Sequence, residues 1–188
     1  YLLVENRKVE NYVDMALYYA RMDAVYKDYM IAETNLQEVA QQVLLQNKYY
    51  LIQSHVKAEV ACPDTVYSDK KWIAFILNQL IQNSVKYGRS EGTHIQIVTK
   101  KTKSGVLLRV KDDGIGIPKE EIPRIFEKGF TGTNGRNRER STGMGLYLCR
   151  KLCDKLNIEI RAESAEGKGT EIILMFPVSD YLTGYRET

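Results

Sequence analysis

The spacing of apolar residues changes period several times along the chain, and each change predicts an element. Over residues 1–27, Val9, Tyr12, Val13, Ala16, Leu17, Ala20 and Ala24 recur at intervals of three and four. Glu5, Arg7, Lys8, Glu10, Asp14 and Arg21 fill the opposite side. This is one long amphipathic helix. A lone helix cannot bury such a stripe, so it wants partner helices or folds onto the rest of the chain. "YMIAET" then reads as a short strand, and Asn35, with Glu38 three residues on, as the cap of a helix running to about Gln53. "HVKAEVAC" is a strand. "TVYSDKKW" is a short strand followed by a Ser68 cap and a helix to about Tyr87. "THIQIVTKK" and "VLLRVKDD" alternate and turn at Ser104 and Gly105, a hairpin. An irregular stretch to about Thr142 holds a short helix near residues 120–126. Residues 143–156 form a helix, and "IEIRAES" and "TEIILMFP" a last hairpin around "AEGKG". This order predicts an α+β fold. It is a two-layer sandwich, a mixed and mostly antiparallel sheet covered by helices on one face, with the long helix in front.

Composition narrows this little. The 188 residues suffice for one domain and an appendage, and 44% hydrophobic with 27% charged is an ordinary globular balance. A net charge of +3, mixed along the chain, gives no argument for nucleic acid. No apolar run approaches the ~20 residues of a membrane span, and no signal peptide is recognisable. Three cysteines, Cys62, Cys149 and Cys153, lack a metal-binding pattern and read as reduced, buried thiols of a cytosolic domain. The chain opens inside a periodic pattern with neither Met nor cap, so we expect a fragment of a longer protein.

Candidate chemistry falls in three places. On the helix before Tyr87, Ile73, Ile76, Leu77, Leu80 and Ser84 form the inward stripe. Gln79, Asn83, Lys86 and Tyr87 line its edge, so an amide, a cation and a phenol project together. An Asn carbonyl can hold Mg²⁺, and a Lys can meet phosphate; the plainer reading is a solvated helix face. In "STGMGLYLCRKL", Gly143 and Gly145 lead into a helix whose N–H groups and dipole favour anions, or else they make only a tight turn. Between these lies a glycine-rich basic loop. Gly129, Gly132 and Gly135 stand with Lys128, Arg136, Arg138 and Arg140 against one acid, Glu139. Such a loop is either functional or disordered. The stretch "LRVKDDGIGIP" poses a puzzle, because two carboxylates precede glycines Gly114 and Gly116 and would repel phosphate. The puzzle resolves if phosphates go to Gly143 and Gly145. Asp112 is then free to accept from the exocyclic amine of adenine, with the glycines letting the base lie against the backbone.

These pieces, in this order, resemble the ATP-binding domain of sensor histidine kinases, within the family shared with gyrase, Hsp90 and MutL. "NQLIQNSVKYG" resembles the N box, "DDGIGIP" the G1 box, "IFEKGF" the F box, "STGMGL" the G2 box and "GKGTEIILMFP" the closing strand pair. The likeness covers about residues 29–177. It implies the Bergerat-type ATP-binding fold. It also implies that Asn83 holds Mg²⁺, Lys86 contacts phosphate and Tyr87 lines the pocket. Asp112 would bind adenine in a slot shaped by Gly114 and Gly116, with Ile117 and Phe126 as apolar pocket or lid-anchoring residues and Lys128 at the start of the lid. Gly143, Met144, Gly145 and Leu146 would hold phosphates, and Thr170 would sit near the adenine end.

Three departures shape the expectation. Ser141 stands where the G2 box opens with a further Gly. Gln79 stands where gyrase-type ATPases carry a water-activating Glu, so fast hydrolysis is not expected. The only histidines, His55 and His94, lie outside any acceptor motif on a helix. Residues 1–27 then resemble the second helix of a dimerisation hairpin, with the acceptor His upstream, residues 28–179 the catalytic domain, and 180–188 a tail. The implied protein is a homodimeric, membrane-anchored kinase, with this part cytoplasmic, that passes phosphoryl from ATP to His and on to a response regulator. "NYVDMALYYARMD" also resembles kinases that work with peptide-antibiotic transporters. A binding-only ATP switch and a serine kinase of the anti-sigma type are the alternatives.

Overall fold

The computed structural model describes residues 29–133 and 142–178, together with Val13, Ala16 and Leu17. The expected long helix lies outside the described residues except for those three, which are helical and exposed. The expected tail at 180–188 lies outside them too.

Within residues 29–133 and 142–178, seven strands and four α-helices are described in order: β1 (Ala32–Asn35), α1 (Leu36–Gln46), α2 (Lys48–Gln53), β2 (Val56–Ala61), β3 (Thr65–Ser68), α3 (Lys70–Lys86), β4 (Thr93–Thr102), β5 (Gly105–Asp112), α4 (Gly145–Lys155), β6 (Glu159–Ser164) and β7 (Thr170–Pro177). Five strands make the main sheet in the order β2-β4-β5-β7-β6. The pair β2 and β4 is parallel, joined by a crossover through α3, and the remaining pairs are antiparallel. β1 and β3 pair separately as a two-stranded antiparallel ribbon, which the single predicted sheet did not include.

Alternation along the strands sorts the two faces. Ile95, Ile97, Leu108, Val110, Ile160, Ile172 and Leu174 are buried in one core. The helices supply much of the remainder: Leu36, Val39 and Val43 from α1, Ile73, Ile76, Leu77 and Leu80 from α3, and Leu148, Cys149, Leu152 and Cys153 from α4. The other face carries charge pairs, Arg109 with Glu171 at 2.7 Å and Arg161 with Glu163 at 3.7 Å. The predicted sandwich with helices on one face is the observed architecture. No helix among the described residues is long and apolar enough to cross a membrane.

Several predicted boundaries move, each for a local reason. Asn35 caps α1 as expected, accepting from the Glu38 N–H at 3.1 Å. The helix predicted to reach Gln53 breaks at Asn47. That side chain donates to the Val43 carbonyl and to Asn78 Oδ1, both at 2.8 Å, and so diverts the backbone pattern. The cap of α3 is Asp69 and not Ser68, which is the last residue of β3. Asp69 Oδ1 accepts from the N–H groups of Lys71 and Trp72, as an N-cap does. The helix expected at 120–126 shrinks to one 3₁₀ turn, Ile122–Arg124, with Pro123 at its start. The helix expected from Gly143 begins at Gly145, because Gly143 sits at φ +64°.

Candidate functional site

α3 is the spine of the site. It packs against α1, α4, β4 and β5, and its polar residues leave the core at the C-terminal half. Asn83 is half-buried at the edge of the stripe, and Ser84 is buried beside it. Lys86 lies over the ring of Tyr87 at 5.7 Å. The Tyr87 carbonyl accepts from the Ile115 N–H at 3.0 Å, which ties the end of α3 to the glycine turn after β5.

Asp112, the last residue of β5, is only 9% exposed. Its Oδ1 accepts from the N–H groups of Gly114 at 3.0 Å and Thr170 at 3.1 Å, and its Oδ2 accepts from the Ser84 hydroxyl at 2.7 Å. Burial pushes its carboxyl up from the ordinary Asp value, while these three donors hold it down. The adjacent Asp113 does different work. It is exposed, and its Oδ1 accepts from the His94 N–H at 2.8 Å, fixing the start of β4. The two neighbouring carboxylates are therefore one buried acid and one strand anchor.

The glycines around Asp112 are demanded by close approach. A Cβ on Gly114 would lie 2.6 Å from the Tyr87 carbonyl oxygen, and one on Gly116, at φ +72°, would overlap the carbonyl of Ala165. Gly167 N–H donates to the Ile115 carbonyl at 2.7 Å, so the glycine turn and the β6–β7 turn are laced together. Ser164 Oγ accepts from the Ile117 N–H at 2.9 Å and donates to the Gly169 carbonyl at 2.7 Å. Arg89 bonds the carbonyls of Asp113 and Gly167 across the same seam.

Against the middle of α3, α4 starts at Gly145 with no side-chain cap among the described residues. Its first N–H groups are therefore suited to an outside acceptor. Met144 is the N-cap residue, and Leu146 is half-buried against the core. Gly145 faces α3, since a Cβ there would stand 2.9 Å from Gln79 Oε1. Gly143 meets the backbone of Gly129, whose N–H donates to the Gly143 carbonyl at 3.0 Å. The two ends of the glycine-rich segment thus meet at one neck. Phe126 packs on the core beside that neck with Arg150 5.9 Å from its ring, and Lys128 is exposed. The basic residues Arg136, Arg138 and Arg140, with Gly135, lie outside the described residues.

The structure therefore gathers Tyr87, Asp112, Gly114, Gly116, Ile117 and Thr170 at one end of α3. It places Gly143, Met144, Gly145, Leu146, Phe126 and Lys128 around the start of α4, which meets α3 near its middle at Gln79. Gln79 faces α4 and Ser84 faces Asp112, so the two groups are separated by five residues of one helix, about 7 Å of axial rise. Three participants escaped the sequence reading: Ser84, Ser164 and Arg89. Ser84 left a trace, a polar residue on an apolar stripe, which needs a partner when buried. Ser164 and Arg89 act through backbone carbonyls that pattern does not reveal. His55 is exposed at φ +55°, and His94 on β4 lies 3.2 Å from Glu59. No cluster of metal-binding His, Cys, Asp and Glu occurs among the described residues.

A buried acid behind a glycine turn and an uncapped helix mouth are thus joined by one helix of an α+β domain. Residues 68–180 match the family described as histidine kinase-, DNA gyrase B-, and HSP90-like ATPase, and the chain belongs to that family. It is 34% identical over 174 residues to sensor histidine kinase YxdK of Bacillus subtilis (strain 168), covering 92% of this chain and 54% of that protein. It is 36% identical over 184 residues to sensor protein kinase GraS of Staphylococcus aureus (strain JH1), covering 95% of this chain and 52% of the relative. The chain thus spans about half the length of these curated relatives. Among solved structures, the catalytic domain of histidine kinase ThkA superposes with a TM-score of 0.67 at 26% identity, over 79% of this chain and 97% of that one.

Proposed function

We propose that this chain is the catalytic, ATP-binding part of a sensor histidine kinase. It binds ATP with Mg²⁺ and presents the γ-phosphoryl to a histidine on a helix upstream. Residues 1–27 serve as the second helix of the dimerisation hairpin, 28–179 as the catalytic domain and 180–188 as a tail. The observation that carries the reading is Asp112: a buried acid held by three donors on three elements, with an acceptor position left over, about 7 Å along α3 from the uncapped start of α4. That arrangement suits a base bearing an amine at one end and a polyanion at the other. The names of the relatives support the kinase assignment.

Each residue has a role in this reading. Asp112 accepts from the adenine amine while Gly114, Gly116 and Thr170 form the slot, and Tyr87, Ile117 and Phe126 offer apolar surface. Lys86 and Lys128 bring positive charge to the phosphates, and the N–H groups near Gly143, Met144, Gly145 and Leu146 receive their oxygens. Asn83, with an amide oxygen beside the pocket, fits one ligand position of an ion that takes its other ligands from waters and phosphates. Bound Mg²⁺ would neutralise phosphate charge. The chain's own contribution is positioning and charge compensation, the larger part of catalysis in phosphoryl transfer. Gln79 cannot take a proton from water, which spares ATP from hydrolysis and favours transfer to a protein acceptor.

The whole protein is a homodimer through the hairpin, anchored in the membrane by segments outside this sequence. It works with a response regulator whose Asp takes the phosphoryl from His, and with a membrane transporter or sensor partner. Calorimetric titration with ATP and Mg²⁺ tests the binding, which we expect to be saturable at one site. Adding a hairpin fragment that bears the histidine, with γ-labelled ATP, is expected to give acid-labile phosphoimidazole. No binding would overturn the reading, and binding without transfer would reduce it to an ATP-dependent switch.

A further inference from the structure

Ser84, like Ser164 and Arg89, has no part in these roles. We propose that Ser84 is a positioning residue for base recognition: its hydroxyl holds Asp112 Oδ2 so that the remaining acceptor site faces the amine of the bound base. This rests on the reading of Asp112 as the adenine-binding acid.

Ser84 is 5% exposed, and its Oγ lies 2.7 Å from Asp112 Oδ2. A serine inside a helix commonly bonds the carbonyl four residues back; this one reaches across to β5 instead. Asp112 has about four acceptor positions. Two on Oδ1 are taken by the N–H groups of Gly114 and Thr170, and one on Oδ2 by Ser84. The fourth is also on Oδ2, the oxygen Ser84 orients. Backbone donors fix the other oxygen, so the Ser84 hydroxyl is the only side-chain donor that reaches the carboxylate among the described residues. A hydrogen bond to a charged acceptor in a dry site is stronger than one between neutral groups. Ser84 also follows Asn83 directly, so one turn of α3 sets the acid for the base next to the amide proposed for the metal.

Packing loss would weaken every nucleotide alike, whereas mispositioning the acid weakens only one that carries the amine. The test is therefore calorimetric titration of the chain, Ser84→Ala, Ser84→Cys and Asp112→Asn with ATP·Mg²⁺ and with purine riboside 5′-triphosphate, which lacks the amine. For Ser84→Ala we expect about a tenfold rise in the Kd for ATP and little change for the purine analogue. Ser84→Cys, isosteric with a much weaker donor, should show the same amine-specific loss. Equal losses for both nucleotides, or no loss for ATP, overturns the role of Ser84. If Asp112→Asn erases the preference for ATP while both Ser84 variants keep it, only Ser84 falls. If Asp112→Asn also keeps the preference, the adenine reading of Asp112 falls with it.

Discussion

At the level of single residues, the role proposed for Asp112 sets function against stability. Burial raises its carboxyl above the ordinary Asp value, so the folded chain holds that proton more tightly than the unfolded chain. Its contribution therefore favours the fold at low pH and is lost as pH rises through the folded pKa. At neutral pH the ionised acid destabilises the empty domain. Asp112→Asn is expected to keep or raise the melting temperature at pH 7.5 and to flatten its fall as pH rises from the ordinary Asp value of about 4, while ATP binding weakens. Melts from there up to pH 7.5, read beside a titration, check both; a less stable variant at pH 7.5 contradicts the sign. The glycines make a second contrast. Gly116 and Gly167 both have positive φ, but a Cβ meets the Ala165 carbonyl at Gly116 and nothing within 4 Å at Gly167. Gly167→Ala should cost about 1 kcal/mol, the strain of the left-handed conformation, and Gly116→Ala clearly more, by urea denaturation. Asp112 stood out in the sequence because a carboxylate before glycines makes no sense as a phosphate cradle. Ser84 was not, because its donor role exists only once β5 lies beside α3.

At the level of elements, α3 does the most, and its N-cap is as telling as its last turn. Asp69 caps the helix with Oδ1 and takes the Met30 N–H on Oδ2 at 2.8 Å. Beside it the ring of Tyr29 packs 6.0 Å from that of Trp72. One carboxylate therefore starts the site helix and fastens the chain entering the domain. Asp69→Ala is expected to lose about 1–2 kcal/mol of stability in urea denaturation, as for a lost cap. Asp69→Asn, which retains an acceptor oxygen, should lose less; equal losses would argue against the cap. Most helices and strands, and the two hairpins β4–β5 and β6–β7, were legible from apolar spacing. The ends were less so. Ser68 and Asp69 are both good caps, and only the turn from β3 decides between them. Asn47 looks like an ordinary polar helix residue until Asn78 packs against it.

At the level of the whole molecule, the sheet order was beyond the sequence pattern. Neighbouring strands in the chain predict the β4–β5 and β6–β7 hairpins, but nothing local says that β7 inserts beside β5 or that β2 runs parallel to β4. That insertion brings Thr170 opposite Asp112 and so completes the acid's shell. The reading of the cysteines as core thiols agrees with the structure, where all three are buried and reduced. Burial pushes Cys62 up to about 11 and Cys153 up to about 12, and raises Cys149 well above the ordinary thiol value. All are therefore protonated and shielded at pH 8. A disulfide-exchange reagent should label none of them in the native domain and all three in denaturant; fast labelling of the native chain would contradict the packing. The account as a whole turns on a nucleotide lying along α3, base at Asp112 and phosphates at the mouth of α4. Backbone amide shifts in an ¹⁵N-labelled sample titrated with ATP·Mg²⁺ test this directly. We predict the largest changes at Gly114, Gly116 and Thr170 together with Gly145 and Leu146; saturating ATP that leaves either group unmoved would contradict it.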